Sequence, residues 1–177
     1  MRGGRRRVRT SAMAETKLRG NPVHTVGDLP KVGTKAPSFT LTKTDLSDLS
    51  NTELDGQRVV LNIFHSLDTG VCAASVRRFN ELASGLDNTS VVCVSADLPF
   101  ALARFCGAEG LDKVVPASTF RSDFGTAYGV QLADSKIAGL MARSVVVFDE
   151  HGTVTYSKLC EELSEEPDYD AAIAALS

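Results

Sequence analysis

Residues 58–83 read RVVLNIFHSLDTGVCAASVRRFNELA, and within them one periodicity gives way to another. The first seven, RVVLNIF, form a nearly unbroken apolar run with β-branched members, as expected of a strand buried on both faces. From Thr69 onward, Val71, Ser75, Val76, Phe79, Leu82 and Ala83 can share one side of a helix. Thr69 or Asp68 supplies the side-chain oxygen that an N-cap uses. Strand, short polar loop and helix together deliver Cys72 to a first helical turn, with His65 where the strand becomes loop.

The same logic recurs downstream. SVVCVSA (90–96) reads as a second buried strand and DLPFALARFCGAEG (97–110) as a second helix, capped by Asp97 and carrying Pro99 in its first turn, where a missing N–H costs nothing. FGTAYGV (124–130) predicts a short helix, and SVVVFDEHGTVTYSKL (144–159) two strands around a Glu150-His151-Gly152 turn. EPDYDAAIAAL (166–176) closes the chain as a helix, and KAPSFTLT (35–42) supplies an early strand. Strands alternating with helices imply a βαβ core, and the late hairpin makes the sheet mixed. The order fits an α/β, thioredoxin-like sandwich with a mixed central sheet flanked by helices.

With 177 residues the chain is long enough for one three-layer core and short for two. No apolar run approaches the roughly 20 residues of a spanning helix, so no membrane association is expected. The net charge of −3 conceals an asymmetry. Five arginines precede the first acidic residue and account for +5, leaving −8 on the rest of the chain. An acidic body of that kind excludes the clustered basic surface that nucleic-acid binding needs.

The arginine-rich start, MRGGRRRVRTSAMAETKL, lacks the apolar segment of a secretory signal, so a cytoplasmic location is expected. Met13 is an alternative start. Residues 1–19 are expected to be a disordered basic extension, and residues 20–177 the folded domain.

Cys72, Cys93, Cys106 and Cys160 are far apart and form no C-x-x-C pair, and His24, His65 and His151 have no metal-ligand spacing. Thiol chemistry without a metal or cofactor is the expectation. Cys72 follows the carboxyl end of a strand, where open α/β sheets place their sites. Its helix-start setting favours the thiolate. Cys93, between Val92 and Val94, reads as packing, and Cys160 lies beside Glu161 and Glu162, which would oppose thiolate formation. An unbroken helix carries Cys106 roughly 10 Å from the strand-end edge where Cys72 should sit, beyond the ~7 Å Cα separation of a disulfide. If those two react, a helix start must unwind first.

The chain resembles the bacterial thiol peroxidases, which are atypical two-cysteine peroxiredoxins. The matching stretches are GNPV, KAPSFTL, DLSD, LNIFHSLDTGVCAASVRRFN, VSADLPFALARFCGAEG, STFRSDFGTAYGV, GLMARSVVVFDEHG and EPDYDAAIAAL, which run from about Gly20 to the end. The resemblance implies a peroxiredoxin sandwich with an added N-terminal β-hairpin, a homodimer, thioredoxin as reductant and hydrogen peroxide or organic hydroperoxides as substrates. It casts Cys72 as the peroxidatic cysteine, Thr69 as the hydroxyl three residues before it, Arg143 as the arginine supporting the thiolate and Cys106 as the resolving cysteine. On local features alone Arg143 reads as a solvated residue opening the SVVVF strand.

One position departs from the pattern. The family frame P-x-x-x-T-x-x-C has proline where this chain has His65. The exchange restores a backbone N–H, loosens φ and adds an ionisable ring. A protonated ring near Cys72 would lower the thiol pKa, a disordered loop would cut the rate, or the ring could simply fill the space of the proline; reduced but not abolished activity is the expectation. The alternatives are a redox sensor or binding protein on the same fold, with turnover impaired at His65, and a cysteine hydrolase pairing Cys72 with a histidine base. The hydrolase leaves the Cys106 segment unexplained.

Overall fold

The computed structural model describes residues 13–177. The arginine-rich residues 1–12 lie outside the described residues. Two strands, β1 (Glu15–Leu18) and β2 (Asn21–His24), pair antiparallel as the N-terminal hairpin. The expected boundary at residue 19 is therefore corrected: residues 15–18 belong to the folded body. Thr16 is buried and donates its hydroxyl to the Cys160 carbonyl at 2.6 Å, and Arg19 and Gly20 donate backbone N–H groups to Glu162. These contacts come from the far end of the chain, so nothing in the local sequence signals them.

Seven strands make the main sheet: β3 (Thr40–Lys43), β4 (Asp48–Ser50), β5 (Arg58–Ile63), β6 (Thr89–Ser95), β7 (Val115–Ser118), β8 (Ser144–Phe148) and β9 (Val154–Leu159). Their spatial order is β4-β3-β7-β6-β5-β8-β9. β5, β6 and β7 run parallel at the centre, and β3, β4, β8 and β9 join antiparallel. The parallel pairs need crossovers, which α1 (Gly70–Ala83) and α2 (Pro99–Glu109) supply. Two shorter helices follow, α3 (Phe124–Ala127) and α4 (Tyr169–Ala174).

The two-residue period of β5 sorts its side chains between two apolar layers. Val59, Leu61 and Ile63 join Phe39, Val92, Val94, Phe124 and Tyr128 on one face. Val60 joins Phe64, Cys72, Val76, Phe79, Leu102 and Ala172 on the other. The second layer buries one side of α1, where the ring of Phe79 meets Tyr169 of α4 edge-on at 5.2 Å. Burying a side chain of that size contributes about 1.5–3 kcal/mol. The packing fixes α1 against the end of β5, and with it the place of Cys72.

Both crossover helices start without a side-chain cap. Thr69 is the N-cap of α1 by backbone conformation, but its hydroxyl donates back to the Ser66 carbonyl at 3.0 Å and not to the helix. Leu98, not Asp97, precedes α2, and Pro99 occupies its first turn as expected. Asp97 is drawn elsewhere. Its carboxylate accepts from Ser66 Oγ at 2.9 Å, Leu67 N at 2.8 Å and Ser95 Oγ at 2.7 Å. A carboxylate with three donors at hand in neighbouring loops is not spent on a cap. Gly110, with φ 65°, ends α2 in the left-handed conformation that glycine adopts without strain.

Candidate active site

The loop between β5 and α1 brings two side chains, His65 and Thr69, to the neighbourhood of Cys72, and the residue before β8 adds Arg143. Arg143, immediately before β8, is fully buried despite its charge. Its Nη2 donates to Cys72 Sγ at 3.1 Å, and its Nε donates to the Leu163 carbonyl at 3.0 Å. The solvated reading of Arg143 is thus corrected. β5 and β8 are neighbours, with Ile63 opposite Ser144, so the residue before β8 falls beside the end of β5. The remaining nitrogen, Nη1, is buried with no hydrogen-bond partner among the described residues.

His65 is the second neighbour. Its ring is buried, with Nδ1 3.6 Å and Nε2 3.8 Å from Cys72 Sγ. Thr69 is the third, half-buried one turn before the thiol. The loop carrying both is ordered by bonds of its own, among them those from Ser66 and Leu67 to Asp97 and from Asp68 N to Ser66 Oγ. The ring therefore occupies a shaped site in a well-bonded loop, at odds with the disordered-loop outcome, and its contact with the sulfur lowers the thiol pKa.

Four groups compete with burial at Cys72. Burial alone would push the thiol up. The His65 contact, the Arg143 charge, the Thr69 hydroxyl and the Ser66 backbone N–H outweigh it and lower the thiol from its ordinary 9.0 to about 6. A thiol in that range is largely thiolate at neutral pH.

The other cysteines go the opposite way. Burial drives Cys93, in β6, to about 12 against a weak bond from Asn62. Burial also raises Cys106. Cys160 is pushed up to about 11, first by burial, with Arg143 and Lys158 opposing and Glu165 reinforcing. The carboxylates expected to act on it, Glu161 and Glu162, are not what moves it.

The structure brings Cys72, Thr69 and Arg143 together and leaves Cys106 apart. All four cysteines are free thiols. Cys106 lies in the last turns of α2 and lines an open groove of about 440 Å³ with Ala103, Leu111 and Pro116. Sequence reasoning missed the Leu163 carbonyl that aims Arg143 and the role of Asp97 as organiser of the loop. The first carries no sequence signal. For the second, the spacing Ser95-x-Asp97 after a strand was the available hint, since short polar side chains there bond their own turn.

A model of the redoxin family matches residues 31–173 of the chain. The chain is 54% identical over 165 residues to a thiol peroxidase of Corynebacterium glutamicum, covering 93% of this chain and 100% of that one. A thiol peroxidase of Mycobacterium tuberculosis is 54% identical over 164 residues, covering 93% of this chain and 99% of the other. Among solved structures, a peroxiredoxin-like protein from Aquifex aeolicus superposes with a TM-score of 0.87 at 37% identity, covering 92% and 95% of the two chains. A thiol peroxidase from Chromobacterium violaceum shares the fold, with a TM-score of 0.84 at 22% identity and coverage of 90% and 94%.

Proposed function

The chain belongs to the redoxin family and stands with its thiol peroxidases, and from that premise we propose that it reduces hydrogen peroxide and organic hydroperoxides with Cys72 as the attacking thiolate. The thiolate attacks one peroxide oxygen, the O–O bond breaks and the other oxygen leaves as water or alcohol, so that Cys72 becomes a sulfenic acid. One observation carries this reading: Arg143 reaches Sγ with Nη2 and keeps Nη1 buried and unpaired beside it. A guanidinium always carries its charge and offers a planar fork of donors. One arm stabilises the thiolate, and the other is free for an oxygen on which charge develops. Thr69, one turn away, offers a hydroxyl to orient the O–O bond.

Cys106 resolves the sulfenic acid by condensation, releasing water and forming an intramolecular disulfide. That step requires the first turn of α1 to open, and the missing side-chain cap, worth about 1 kcal/mol where present, makes opening less costly. Thioredoxin then reduces the disulfide. A homodimer and a cytoplasmic location belong to the same reading. Among the described residues no helix is long and apolar enough to cross a membrane. The sensor alternative is not favoured, since His65 packs into the site without disrupting it.

A thioredoxin-coupled assay of peroxide consumption tests the proposal. The chain should turn over many equivalents, Cys72→Ser should consume none, and Cys106→Ser should consume one equivalent per chain and then stop. Non-reducing mass mapping after one equivalent of peroxide should find Cys72 joined to Cys106. Cys72 joined to Cys93 or Cys160 would overturn the resolving role.

A further inference from the structure

One proton has to be moved twice at this site: it must leave the Cys72 thiol, and it must reach the departing oxygen. The side chains at the sulfur are unequal to that task. Arg143 cannot give up a proton in a protein. The Thr69 hydroxyl, within 3.0 Å of the Ser66 carbonyl, is too weak an acid and too weak a base to carry a proton from one to the other. Among these side chains only the His65 ring has nitrogens that can both accept and donate a proton. It is also secluded, with 8% of its surface exposed, beside a Cys72 that is fully buried.

We infer that His65 is a catalytic residue that takes the proton of the Cys72 thiol and hands it to the leaving oxygen. The role rests on the peroxidase reading above and deepens it. Its balance is closed within the site. The thiol proton moves to the ring, giving thiolate and imidazolium. The sulfur electron pair then forms the S–O bond to the terminal peroxide oxygen as the O–O bond breaks. The departing alkoxide or hydroxide takes the proton from the ring and leaves as alcohol or water, the sulfur is oxidised to sulfenic acid, and the ring returns to neutral.

The geometry allows both transfers from one position. Sγ is almost equidistant from Nδ1 and Nε2, at 3.6 and 3.8 Å, so it is lined up with neither. A turn of the ring would aim one nitrogen at the sulfur, and a peroxide drawn up to that sulfur brings its leaving oxygen towards the same ring. The proline of the related pattern at this position offers no such group, so the device is particular to chains with an ionisable side chain here.

The test separates proton delivery from mere support of the loop. Single-turnover oxidation of the reduced full-length chain is followed by stopped flow with peracetic acid, hydrogen peroxide and tert-butyl hydroperoxide. The carboxylate released by the peracid needs no proton, whereas hydroxide and tert-butoxide do. Each rate is divided by the fraction of Cys72 present as thiolate at the pH of the assay, read from iodoacetamide alkylation of the same chain. With that correction, rates with the two poor leaving groups should fall by about 10²-fold in His65→Gln, which keeps a polar side chain without shuttling ability, while the corrected peracid rate stays within about twofold of wild type. His65→Pro, which restores the family residue, should show the same selectivity. An equal loss on all three oxidants, or no loss on any, would overturn the inference and leave the peroxidase reading intact. A wild-type chain inert to all three would overturn that reading, and the inference with it.

Discussion

Burial raises the Cys72 thiol, and the groups around it lower it more, with His65 the largest of the lowering contributions and the Arg143 charge next. Alkylation of the reduced chain by iodoacetamide should therefore rise from acid pH to a plateau, with a midpoint near pH 6. His65→Pro should move that midpoint upward, and an unmoved midpoint would assign the whole effect to Arg143 and the loop. Cys72 is legible from sequence because a strand end and a helix start are local patterns. Arg143 is legible only through resemblance: its burial depends on the register of β8 against β5 and on a carbonyl twenty residues further on. His65 stands out in sequence as a departure, but only its distance to the sulfur turns an oddity into a mechanism.

Among the elements, the segments that carry the two proposed redox cysteines share a fastening. Asp97, between β6 and α2, holds the loop before α1 through Ser66 and Leu67, and its carbonyl accepts from Ser118 Oγ of β7 at 2.6 Å. Hydrogen bonds to a charged acceptor are worth about 1.5–3 kcal/mol each, and the Asp97 carboxylate takes three, from Ser66 Oγ, Leu67 N and Ser95 Oγ. Asp97→Ala should cost about 3 kcal/mol in urea denaturation and speed amide exchange at Leu67 while leaving the strands of the sheet protected. Unchanged exchange at Leu67 would show that the loop is ordered by its own turn alone. The sequence placed Asp97 at the right junction with the wrong task, because a cap is a local expectation and the loop it serves lies thirty residues upstream.

For the whole molecule, the alternation of buried strands and amphipathic helices made the central sheet legible, since each period is written within a single element. The first hairpin strand was not, because Thr16 and Lys17 are held by Cys160 and Glu161 from the opposite end of the chain. The site also feeds back on the fold as a whole through its charge. Cys72 titrates at about 6 in the folded chain and at its ordinary 9.0 when unfolded, so the thiolate binds more tightly to the folded state. Its contribution is full above pH 9, shrinks as the pH falls towards 6, and is gone below that. The stability of the reduced chain relative to Cys72→Ala should grow across this window by up to about 4 kcal/mol, as read from urea denaturation at several pH values. Cys93 and Cys160 are present in both chains and cancel, and the loss of the anion beside Arg143 offsets the variant without creating a slope. Oxidation of Cys72 to a disulfide removes the titrating thiol, so the oxidised chain should lose the slope as well. A pH-independent difference between reduced wild type and Cys72→Ala would mean that the buried sulfur stays protonated and that Arg143 and His65 do not hold a thiolate.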